Sequence, residues 1–308
     1  METLQVSAAS SSPLRLEPGS LAHLPSLVSL DLSGSVVQSI PAGELCRLPN
    51  LAALNMSRSE LGSVHDLGIS GSQHRDCLPL LGSLDLSHNE LSMVEGDSLL
   101  SWPSIHTLNL GNNYISLHMN NNQMSHLPAT LLSHQTNLEQ LDLSGNILME
   151  TGLPTNLTAD LHNLLRLDLC SNQLGRLPSA LTAPLQNLQV LRLCNNALAT
   201  ASLSPDMVNL AELDLSGNQL TSLGPSSLQP FSQLTYLCLA RNALTEVHSA
   251  AFQGTTGLLV LDLSDNKLAG LPKALKSLSG LQTLDISNNL VTNLDEDTLS
   301  QLPSLWRL

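Results

Sequence analysis

Apolar residues recur along this chain in one fixed phrase, apolar-x-x-apolar-x-apolar-x-x-Asn-x-apolar. It reads LGSLDLSHNEL at 81–91, LEQLDLSGNIL at 138–148 and LLRLDLCSNQL at 164–174. It returns as LAELDLSGNQL at 210–220, LLVLDLSDNKL at 258–268 and LQTLDISNNLV at 281–291. The central Leu-x-Leu has a period of two, so it predicts a short strand with both leucines on one face and the residue between them on the other. Asn falls where the chain leaves that strand and bends beneath its neighbours. There its amide satisfies backbone groups that would otherwise be buried unpaired. No single unit covers its own apolar face, so units must stack, and each buried aliphatic side chain contributes about 1.5–3 kcal/mol.

These features define the leucine-rich repeat. The expected fold is an α/β-type repeat: a horseshoe solenoid with a parallel β-sheet on its concave face. A single array of about thirteen coils is expected to span residues 1–308. Ser35 and Ser59 take the asparagine slot in the first two clear repeats, so the asparagine ladder is expected to start at Asn89. Most steps between ladder positions are 24 residues, and the step of 30 from Ser59 to Asn89 marks an enlarged repeat at 59–89. One step is anomalous. In LNLGNNYISLHMNNNQMSHLP, Asn113 and Asn122 both close the phrase only nine residues apart. Because a coil needs at least about 20 residues, the reading at this stage is a coil truncated at 113–122, lacking a fifteen-residue outer arc. It should either place Ile115, Leu117 and Met119 in a strand or break the ladder, leaving two blocks near 1–113 and 122–308.

Both ends read as repeat strands, Leu4-Gln-Val6 and Leu305-Trp-Arg-Leu308, without the polar caps a solenoid end requires, so the expectation is a piece of a longer protein. No signal peptide is legible at the start, and no run of 18 apolar residues is long enough to span a bilayer.

Composition narrows the function. Aromatics make up 2% of the chain, so leucine builds the core. A net charge of −14 argues against nucleic acid and anionic membranes as partners. No nucleophile elbow, phosphate loop or H-E-x-x-H is present, so the chain is not expected to be an enzyme and calls for no cofactor. His118, His126 and His134 recur every eight residues, but nothing makes them converge, and no metal site is assigned.

The outward strand positions are Asp31, Asn55, Asp85, Asn109, His118, Asp142, Asp168, Arg192, Asp214, Cys238, Asp262 and Asp285. They read as solvating filler or as an acidic face that attracts a basic protein partner. Asp142 with Asp168, and Asp262 with Asp285, should stand as like-charge neighbours at some cost, while Arg192 relieves Asp168 and Asp214. Cys46 and Cys77 are either two small buried thiols or a disulfide pinning the 30 residues between them, worth about 3–4 kcal/mol. The disulfide is preferred and implies an oxidising compartment. Cys170 and Cys194 read as serine substitutes, and Cys238 as outward and unpaired. Asn55-Met-Ser57 and Asn156-Leu-Thr158 are glycosylation sequons.

The stretch GELCRLPNLAALNMSRSELGSVHDLGISGSQHRDCLPLLGSLDLSHNEL resembles the ectodomain of arthropod Toll-family receptors, the 18-wheeler and Tollo group especially. Those receptors similarly place one Cys before a repeat and a second in the enlarged repeat that follows. AAFQGTTGLLVLDLSDNKLAGLPKALKSLSGLQTLDISNNLV looks like a downstream part of such an ectodomain. The resemblance implies further repeats, cysteine-rich caps, one membrane helix and a cytoplasmic signalling domain outside this chain. It also implies a protein ligand such as a cystine-knot dimer, a receptor partner, and a place on the extracellular side of the plasma membrane. The expected function is therefore the protein-binding ectodomain fragment of a Toll-like receptor. Alternatives are an extracellular adhesion or matrix protein and an intracellular scaffold.

Overall fold

The computed structural model describes residues 2–6, 14–37, 39–69, 77–91, 102, 104–113, 131–132, 135–225 and 227–308. The chain divides into two compact units, Met1–Leu164 and Leu165–Leu308. Both are parallel-strand solenoids built from one local rule.

In the first unit the strands are β1 (Thr3–Gln5), β2 (Ser29–Asp31), β3 (Ala53–Asn55), β4 (Ser83–Asp85), β5 (Thr107–Asn109) and β6 (Gln140–Asp142). They lie in chain order and pair in parallel, with every central leucine opposite the next. Leu30, Leu54, Leu84, Leu108 and Leu141 point inward and are at most 2% exposed. In the second unit β7 (Arg166–Asp168), β8 (Val190–Arg192), β9 (Glu212–Asp214), β11 (Tyr236–Cys238), β13 (Val260–Asp262) and β14 (Thr283–Asp285) continue the rule. There β10 (Ser222–Leu223) and β12 (Glu246–Val247) form a separate two-stranded pair. The return arcs are mostly turns. Among the described residues the only α-helices are Ser179–Thr182 and Glu296–Leu299, of four residues each. The parallel strands therefore carry the repeat, with few helices on the return side. Both strand-like termini take part in the pairing: Leu4 sits opposite Leu30, and Arg307 bridges Thr283.

The buried asparagines hold coil to coil. Asn266 Nδ2 donates to Leu263 and Ser264 carbonyls of its own coil and to the Leu239 carbonyl of the preceding one, at 2.9–3.1 Å. Its Oδ1 accepts the Leu244 N–H at 3.0 Å. One amide thus satisfies backbone of two coils. Asn113, Asn196, Asn218, Asn242 and Asn289 repeat the pattern. The ladder proper starts at Asn89, as expected. Ser59 in the same slot reaches back only through its hydroxyl, to the Leu32 carbonyl at 3.3 Å.

The residue before each ladder position bears a cost. Arg58, His88, Asn112, Ser171, Asn195, Arg241, Asp265 and Asn288 all have φ between +53° and +57°. This left-handed region is unfavourable for residues with a Cβ, least so for Asn and Asp. Gly145 and Gly217 hold the same slot at φ +65° without that penalty.

The anomalous step falls on residues outside the described ones, between β5 and β6. β5 pairs directly with β6, Leu108 opposite Leu141. Asn146 Nδ2 donates to the Leu110 carbonyl at 3.3 Å, which is the bond a ladder residue makes to the coil before it. Among the described residues the ladder therefore steps from Asn113 to Asn146. Asn122 and the proposed strand at Ile115, Leu117 and Met119 lie outside the described residues.

A buried carboxylate adds a second tie in the first unit. Glu44 is 2% exposed and accepts the Gly19 and Leu21 N–H groups at 2.8 and 2.7 Å. Burial alone would push its carboxyl up. The two N–H groups and the neighbouring Arg47 guanidinium outweigh that and hold it below its ordinary value.

Replacing Asn266 with Ala leaves several buried backbone groups unpaired and should cost about 2–4 kcal/mol, read as a lowered urea midpoint. Arg241→Gly should do the opposite and stabilise by about 0.5–1 kcal/mol, because only the left-handed strain is removed. A destabilised Arg241→Gly protein would show that this strain is not what the slot costs.

Candidate binding face

Strand residues flanking each central leucine face away from the core, and register stacks them into two columns per unit. One column of the first unit runs Asp31, Asn55, Asp85, Asn109, Asp142. In the second it runs Asp168, Arg192, Asp214, Cys238, Asp262, Asp285. The expected outward residues are thus brought into line within each unit. His118 lies outside the described residues, and Asp142 and Asp168 belong to different units. Asp262 and Asp285 are register neighbours, as expected.

These aspartates are more than solvating filler. In Asp31, Asp85, Asp142, Asp168, Asp214, Asp262 and Asp285, Oδ1 accepts the N–H two residues on, at 2.8–2.9 Å. The carboxylate closes the turn that carries the chain out of the strand. Asn55 and Asn109 do the same through their amide oxygens, at 3.0 and 2.9 Å. The turn therefore needs an oxygen and does not need the charge.

A second column was legible in the sequence too, because period two assigns the residue before the two leucines to the same face as the residue between them. In the second unit it holds Arg166, Val190, Glu212, Tyr236, Val260 and Thr283. Glu212 changes the account of Arg192. The guanidinium binds Glu212 at 3.0 Å and approaches Asp168 only at 3.9 Å. Its pKa is raised, first by the Glu212 hydrogen bond. Tyr236, 37% exposed, has its phenol pushed up to about 12 by partial burial above a field of carboxylates.

Cys238 holds an outward register position yet is 7% exposed, so it is not the solvent-facing thiol expected. Its Sγ donates to Asp262 Oδ2 at 3.8 Å, and burial pushes the thiol up to about 11. Cys46 and Cys77 form the preferred disulfide, with Cα atoms 4.7 Å apart. Cys170 and Cys194 are not plain serine substitutes: they are bonded across adjacent coils, with Cα atoms 4.5 Å apart. The 24-residue spacing of the pair, one repeat, was the available signal. Asn156 is exposed on a return arc, whereas Asn55 lies half-buried in the strand column. An open, polar cleft of about 450 Å³ follows the strand-exit turns of the first unit, lined by Arg58, Glu60, His88 and Glu90 among others. Among the described residues no helix is long and apolar enough to cross a membrane.

Models of the leucine-rich repeat match residues 137–159 and, in overlapping copies, 186–244, 208–268, 232–278 and 271–308. These segments are leucine-rich repeats. Human podocan-like protein 1 is 37% identical over 110 residues, 31% of this chain and 22% of that protein, so the match spans about a fifth of the relative's length. An internalin (inlF) of Listeria monocytogenes superposes on the whole chain and 80% of its own, with TM-score 0.74 and 24% identity. TLR13, solved as a complex with ssRNA13, covers 91% of the chain and 46% of itself, with TM-score 0.60 and 23% identity. The structural neighbours thus include a Toll-like receptor, and at these identities the likeness is one of fold.

The thiol chemistry of this chain is directly countable. Alkylation without reduction should label one cysteine, Cys238, slowly in the native protein and rapidly after denaturation, and reduction should expose all five. In the native protein, labelling should quicken about tenfold per pH unit up to the thiol's value near 11, because thiolate is the nucleophile. Three labels before reduction would remove one of the two disulfides.

Proposed function

We propose that this chain is an extracellular protein-binding array, part of a Toll-type cell-surface receptor, that takes a basic surface of a protein ligand on its acidic sheet face. The carrying observation is the registered column of aspartates, most sharply Asp262 beside Asp285. Their Oδ1 atoms are spent on turn closure, and the charge itself is left over for recognition. A chain of net charge −14 repels a polyanion, which favours a protein over the RNA present in the TLR13 structure. Two disulfides suit an oxidising, extracellular setting. The Cys46–Cys77 bridge sits where the resemblance to arthropod Toll receptors is most specific. A cystine-knot dimer is the ligand class that this resemblance implies. Its binding would be relayed through receptor pairing and a signalling domain carried elsewhere in the receptor. Glycans at Asn55 and Asn156 belong to the same reading, and one at Asn55 would close that part of the sheet to ligand.

The test isolates charge from structure. Asp262→Asn with Asp285→Asn keeps the turn-closing oxygen, as Asn55 and Asn109 already do. Surface plasmon resonance with a cystine-knot dimer of the Toll-ligand type should show association slowed about three- to tenfold at low salt, with a flatter salt dependence. Absence of binding by the unmodified chain, or identical salt dependence in the double variant, would overturn the proposal.

A further inference from the structure

The Cys170–Cys194 bridge stands beside a carboxylate in a way not repeated among the described residues. Cys170, Cys194 and Asp214 come from three successive coils, those of β7, β8 and β9. The two sulfurs and an Asp214 oxygen lie within 4.8 Å of one another, and this is the one such group of three ligand-type side chains among the described residues. We propose that the bridge is one state of a redox-gated metal site: once reduced, Cys170, Cys194 and Asp214 bind a divalent cation of the zinc class.

The chemistry balances. A dithiol reductant attacks the half-buried Cys194 sulfur and releases Cys170; its second thiol then closes its own disulfide and frees Cys194. Two electrons and two protons pass to the pair, which becomes two thiols. A divalent cation displaces both thiol protons to give a dithiolate, and the Asp214 carboxylate, already ionised, supplies a third ligand. Water takes the fourth position of a tetrahedral site. Two soft thiolates select zinc or cobalt(II) over magnesium or calcium.

The scaffold is already arranged for it. Ligand atoms sharing one zinc ion lie about 3.3–3.8 Å apart, so closing from within 4.8 Å asks for side-chain rotation on a fixed backbone. Supporting bonds are in place: Cys170 Sγ accepts the Cys194 N–H at 3.0 Å, and Asp214 Oδ1 accepts the Ser216 N–H at 2.9 Å. The neighbouring cation, Arg192, is engaged by Glu212 at 3.0 Å, which lessens its repulsion of an incoming metal.

The whole chain, reduced with a phosphine and desalted without oxygen, should take up one equivalent of cobalt(II) with a thiolate-to-cobalt charge-transfer band that zinc displaces. The oxidised chain should show none. Cys170→Ser with Cys194→Ser, reduced identically and still carrying Cys46, Cys77 and Cys238, should lose the band. Asp214→Asn should weaken binding about tenfold or more. Zinc should raise the melting midpoint of the reduced wild type, or refold it if reduction unfolds it, and leave the double-serine variant unmoved. A reduced wild type without the band, or an equal band in the double-serine variant, would overturn the site. None of these readouts depends on the ligand of the sheet face.

Discussion

A buried backbone has to be hydrogen-bonded, and in this molecule the inside of each bend has no strand or helix to do it. The asparagine ladder meets that constraint, each amide donating to carbonyls of two coils and accepting an N–H of the earlier one. Other features follow from it. The strand is three residues long because the chain must turn at once towards the ladder. The residue before the asparagine is forced to positive φ, whether it is Gly217, Asp265 or Arg241. Leucine fills the remainder: each coil repeats the same inward positions, and those leucines are buried. The arrangement is local, so it tolerates a coil of very different length as long as the next asparagine reaches back.

That tolerance explains the two long coils. Between β3 and β4 the extra chain carries a 3₁₀ turn, Val64–Leu67, opened by the reciprocal Ser63 and Asp66 cap, and the Cys46–Cys77 bridge ties its far end to the preceding coil. Between β5 and β6 the step is 33 residues, and strand register and ladder bond are both kept across it. A solenoid of this kind demands only nearest-neighbour continuity.

The outward face carries two roles on one side chain. An aspartate after the central leucine supplies the oxygen that closes the exit turn, and its charge faces whatever approaches the sheet. Asparagine satisfies only the first requirement, which is why Asn55 and Asn109 fit the column structurally while thinning its charge. Where a cation enters the column it is neutralised locally, as Arg192 is by Glu212, so the acidic character survives.

The sequence by itself determined the repeat, the strands, the inward leucines, the start of the ladder at Asn89 and the outward row, because each depends on spacing within about eleven residues. The Cys46–Cys77 pair was also legible, since it brackets a visibly enlarged repeat. Tertiary structure decided what depends on which coils are neighbours. That the strand paired with Thr107 is the one beginning at Gln140, 33 residues on, was not legible in the phrase alone. Cys170 and Cys194 resembled serines until the stacking of two coils brought their Cα atoms to 4.5 Å. Cys238 looked exposed by strand parity, but neighbouring strands bury it, because side chains from adjacent coils crowd at strand spacing whichever face they point to. Local pattern sets which way a residue points, and only the stack sets what it meets there.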